Sequence, residues 1–130
     1  MTRPNFLRYA LLADAIASGA TGVLLIAGAG LLDGLLGLPV ALMREAGLLL
    51  VPYVALVAYV GTRETISRPA VQTIIALNIV WTVCSIGLLL TDYVAPTALG
   101  TAFVIAQAAV VALFAELQFI GLRLESLATA

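Results

Sequence analysis

Four long apolar runs organise this chain, set apart by short breaks rich in polar residues, glycine or proline. They cover about 6–32, 39–61, 70–90 and 96–122, and each reaches the roughly 20 residues that a helix needs to cross a bilayer. The first run is too long for the apolar core of a signal peptide, and the chain starts at Met1, so cleavage is not expected. Residues 1–5 are polar and are expected to be frayed or interfacial. In the stretch 31–39, Gly34, Gly37 and Pro39 are expected to break the helix, and the segment is apolar enough to lie in the membrane interface. Pro39 suits the first turn of a second helix, and Pro52 should kink it. Residues 62–69 form the one clearly hydrophilic loop, 91–96 turn the chain again, and a short polar tail is expected from Arg123. The pattern predicts one domain over 1–130, an all-α, polytopic membrane bundle of four helices.

Inside the first run lies a polar stripe. Asp14, Ser18 and Thr21 fall within about 60° of one another at 100° per residue. Asn78, Thr82 and Ser85 repeat the spacing 64 residues later. The second and fourth runs align at an offset of 57, with Pro39, Ala41 and Leu42 over Pro96, Ala98 and Leu99. One reading is a tandem repeat of two transmembrane hairpins related by an axis along the membrane normal. The other is that any two spanning hairpins look alike in so oily an alphabet.

Composition agrees with a lipid solvent. Of the 130 residues, 63% are hydrophobic and 10% charged, against roughly a quarter charged in soluble domains. A net charge of −1 gives no electrostatic reason for a nucleic-acid partner. With no His and only Cys84, the chain has neither a disulfide framework nor the ligands of a tetrahedral zinc site. No cofactor is expected. A Ser or Cys nucleophile lacks its His base, so an enzyme is not expected either. All six cations are Arg, as in a GC-rich bacterial genome. Arg3, Arg8, Arg63, Arg68 and Arg123 fall on one side of four crossings, with only Arg44 on the other. The bias predicts a bacterial inner-membrane protein with both termini cytoplasmic.

Candidate chemistry falls on few residues. Asp14 lies about 9 Å inside Arg8 along the helix, where a carboxylate costs about 2.5–3.5 kcal/mol on insertion scales. Either it is a proton or cation site, or it is a buried acid that pins the bundle. Glu116 lies about 10 Å from Arg123, so the two acids come to one depth and could share a proton. Asn78 is a candidate hydrogen-bond partner for Asp14. Thr82 and Ser85 complete the second half of the seam. Gln107 and Gln118 lie about 20° apart in rotation and roughly opposite Glu116. They mark a second polar face, the candidate surface for a homo-oligomer or a partner subunit. Trp81 is expected to pack mid-span, and Tyr9, Tyr59 and Tyr93 to sit in aromatic belts.

In length, spans and an acid in the first helix, the chain resembles the small multidrug resistance transporters in architecture. Those proteins carry a Glu in that helix and aromatic residues in a shared pocket. Here the acid is Asp14, the first helix has no Trp, and the arginine bias opposes antiparallel pairing. ASGATG at 17–22, REAG at 44–47 and FAELQ at 114–118 resemble small, uncharacterised bacterial inner-membrane proteins, a likeness that carries no activity. Two functions follow as expectations. One is a structural or accessory bundle that self-associates or docks a partner. The other is a small proton-coupled transporter using Asp14 and Glu116.

Overall fold

The computed structural model describes the backbone of residues 2–129 and the side chains of residues 5–125. The chain forms α1 (Thr2–Ala27), α2 (Ala29–Leu36), α3 (Val40–Thr62), α4 (Arg68–Leu89) and α5 (Ala98–Thr129). Four segments are long and apolar enough to cross a membrane: Asn5–Ala27, Val40–Thr62, Arg68–Leu89 and Ala98–Glu125. The fold is an all-α bundle and the protein a multi-pass membrane protein. The side chain of Arg3, counted above for orientation, lies outside the described residues.

Helix α1 begins at Thr2, so residues 2–5, expected to be frayed or interfacial, are helical, and two further boundaries differ from the expected ones. The first run does not continue as one helix to residue 32. It stops at Gly28, whose N–H still bonds Leu24 O at 2.8 Å while its own carbonyl accepts from Leu31 and Leu32 to begin α2. Gly34, expected to break the helix, lies within α2. The break comes at Gly37, whose positive φ of 69° ends α2 as its N–H bonds Asp33 O, a conformation that glycine adopts without a Cβ clash. The second difference is the tail. Residues 123–129 continue α5, because no Gly or Pro interrupts them and Leu, Glu and Ala favour helix. Pro52 is tolerated inside α3, and Pro39 stands at its N-cap. Ser67 caps α4, its Oγ accepting from Ala70 N–H, with Pro69 in the first turn.

Helix α1 packs against α3 and α5, α4 packs against α5, and α3 and α4 barely touch. Glycines set the close approaches around α1. A Cβ on Gly47 of α3 would meet Ile26 Cγ1 at 2.7 Å and Gly22 O at 3.0 Å. On Gly121 of α5 it would meet Leu7 Cα at 2.9 Å. With no hydrophobic drive between helices in lipid, such backbone proximity supplies the dispersion contacts that hold spans together.

Both ends are tied. The Arg8 guanidinium donates to Gly61 O and Arg63 O at 2.7 Å each, covering carbonyls that end α3 with a positive charge. At the other end, Thr97 N–H bonds Leu36 O at 3.0 Å and its hydroxyl bonds Leu35 O at 2.7 Å, joining α2 to the start of α5. Apolar side chains bury in two clusters. One contains Leu7, Leu11, Val57, Val71 and Ile74 near the Arg8 end. The other contains Leu25, Leu36, Met43, Leu50 and Val104 near the Thr97 end. Tyr53 packs against both.

Gly121→Val should overpack the α1–α5 seam and lower stability by about 1–3 kcal/mol, read as the unfolding midpoint in micelles. Gly30→Ala, where an added Cβ meets nothing within 4 Å, should leave the midpoint unchanged or raised.

Candidate functional site

Between the two apolar clusters lies a polar layer to which each spanning helix contributes. Asp14 comes from α1, Tyr53 from α3, Asn78 from α4 and Gln118 from α5. Relative exposure is 2% for Asp14, 4% for Asn78 and 0% for Gln118. Each residue reaches this level because the apolar stripe of its helix turns it inward, with Ala15, Ile74 and Ala115 buried nearby on the same helices.

The carboxyl of Asp14 is surrounded. Oδ1 accepts from Ser18 Oγ at 2.8 Å. Oδ2 accepts from Gln118 Nε2 at 2.7 Å and from Asn78 Nδ2 at 3.2 Å. Asn78 Nδ2 also donates to Gln118 Oε1 at 3.0 Å. The Tyr53 hydroxyl stands 2.6 Å from Asp14 Oδ2 and 2.7 Å from Asn78 Oδ1. It has one hydrogen for these two acceptors. Among the described residues no buried side-chain nitrogen or oxygen lacks a partner.

The seam residues divide. Asp14, Ser18 and Asn78 join the layer. Thr21 turns back to Ala17 O of its own helix at 2.9 Å. Thr82 bonds Asn78 O at 2.9 Å and reaches Ala108 O on α5 at 3.5 Å, and Ser85 is half-buried. So the aligned pair Asp14 and Asn78 meet, while Ser18 and Thr82, and Thr21 and Ser85, do not.

Two expectations for α5 require correction. Gln107 and Gln118 do not form an outer face for a partner. Gln118 is fully enclosed, and Gln107 Oε1 accepts the Trp81 indole N–H at 2.9 Å within the chain. Glu116 does not share a proton with Asp14. It is exposed on the outside of the bundle, because a side chain two positions from Gln118 points about 200° away. The two polar faces of α5 were legible in the sequence, but their assignment to inside and outside was reversed.

Tyr53 was the residue that sequence reasoning passed over. A signal existed: it is a tyrosine mid-span, far from either interface, and a buried phenol needs a hydrogen-bond partner. Chemically the layer offers acid, phenol and amides in a closed ring. No group of three or more His, Cys, Asp or Glu able to hold a metal occurs among the described residues. No family model, curated protein or solved structure matches the chain.

Asp14→Leu should be the costliest change in the layer. It takes the acceptor from Gln118 Nε2, from Ser18 Oγ and from one hydrogen of Asn78 Nδ2, at about 1–3 kcal/mol for each buried group left unpaired. Asp14→Asn, which keeps shape and an acceptor, should cost much less in the same micelle unfolding assay. Equal stability of Asp14→Leu and wild type would show that the layer holds nothing together.

Proposed function

We propose that this protein is a non-enzymatic structural or accessory bundle of a bacterial inner membrane, with Asp14 serving as its internal pin. One observation carries the reading. The buried acid is bonded to one residue of every other spanning helix, and every polar atom around it is used. A proton or cation carrier needs its acid to exchange with water on one side or the other. Neither of the two recesses on the outer face of α4 and α5 is lined by Asp14. Glu116, the other acid a carrier would use, stands on the opposite side of α5 from Gln118.

The inward placement of Gln107 and Gln118 leaves self-association or partner docking to the outer surfaces of the spans. The arginines support an orientation with both termini in the cytoplasm. Arg8 bonds the end of α3 beside Arg63, and Arg68 Nη1 donates to Leu122 O next to Arg123, so these four gather at one end, whereas Arg44 lies near the start of α3.

Reconstitution in liposomes under an imposed pH gradient tests the reading. Wild type and Asp14→Asn should both leave the gradient to decay at the rate of empty liposomes. Gradient-driven flux in wild type that Asp14→Asn abolishes, with insertion intact, would establish the carrier reading instead. Reporter fusions at either terminus should both report from the cytoplasm.

A further inference from the structure

The outer face of α4 and α5 carries two recesses that run into one another. The larger, about 390 Å³, is walled chiefly by Ile75, Ile79, Val83, Ala112 and Phe119, with Glu116 also on its lining. The smaller, about 170 Å³, shares Ile75 and Phe119 and ends at Arg68, Gln72 and Arg123. Together they form a groove that is oily along its length and doubly cationic at one end. From Gln72 to Val83 it runs about 16 Å along α4, close to the roughly 15 Å depth of one hydrocarbon leaflet.

We propose that this groove is a binding site for an anionic phospholipid. The headgroup phosphate is held between Arg68 and Arg123, with Gln72 as a further donor, and one acyl chain lies along Ile75, Ile79 and Val83. The chemistry at the cationic end selects the occupant. Paired guanidiniums match phosphate oxygens, and basic pockets between helices at a membrane surface favour anionic headgroups. Arg68 is anchored by its bond to Leu122 O at 3.4 Å, and the Arg123 guanidinium stands 5.9 Å from the Phe119 ring centre, so both hold positions at the groove mouth. A second copy of the chain in the same orientation fits poorly, since it brings its own arginine-bearing end to the same level. This site is independent of the Asp14 layer and stands whether or not the protein carries protons.

Native mass spectrometry of the full chain in detergent, with equal phosphatidylglycerol and phosphatidylcholine, tests the site. Phosphatidylglycerol should be retained over phosphatidylcholine, by about fivefold for each arginine engaged. Arg123→Gln should lower that preference about fivefold, and Arg68→Gln with Arg123→Gln should abolish it. Arg63→Gln should leave it intact, because Arg63 lies over the Tyr59 ring, 4.5 Å from its centre, and lines neither recess. Glu116→Gln should leave it unchanged or raise it. Unchanged unfolding midpoints in phosphatidylcholine micelles separate loss of the site from loss of the fold, and Arg123→Gln alone suffices if the double variant unfolds. Equal retention of the two lipids, a preference that survives Arg123→Gln, a preference lost in Glu116→Gln, or a dimer displacing the lipid would overturn the proposal.

Discussion

A carboxyl group placed inside a lipid-embedded bundle constrains everything around it. Asp14 is only 2% exposed, and lipid supplies no donors, so its oxygens must be met by side chains of the bundle. The four spans supply them at one level. α3 and α4 have little direct packing, yet Tyr53 and Asn78 meet across the gap at 2.7 Å. α1 and α4 have no close backbone approach, yet Asp14 and Asn78 are in contact. The polar layer therefore joins helix pairs whose backbones stand apart.

The rest of the architecture is arranged about that layer. Aliphatic clusters close it from above and below, which excludes water and strengthens each bond within it. Arg8 at one end and Thr97 at the other fasten helix termini whose carbonyls lack partners within their own helices. Glycines at the α1–α3 and α1–α5 seams bring backbones near enough for a side chain as short as that of Asp14 to find partners on other helices. A layer with every polar atom engaged fits the proposed role of Asp14 as an internal pin, since fixing register is the best-attested use of buried polar groups.

The same geometry separates interior from exterior function. The Asp14 layer is enclosed, while on the outer surface α4 and α5 present arginines beside an apolar groove. Helix α5 serves both roles. Gln118 turns in to complete the layer, Glu116 and Phe119 turn out, and the 100° step between residues makes the two compatible on one helix.

The four spans, their lengths and the presence of one costly acid were determined by sequence alone, because the bilayer reads hydropathy and length locally. So was the stripe of Asp14, Ser18 and Thr21, since residues three and four apart must share a helical face. Which face of each helix turns inward was not. Gln118 and Glu116 are both polar, both on α5 and at nearly one depth, and no periodicity distinguishes them. Nor does any local pattern pair Tyr53 with Asp14, 39 positions earlier in the chain. Those choices depend on how four helices rotate against one another to satisfy a shared set of donors and acceptors at once, and that condition exists only when the helices have packed.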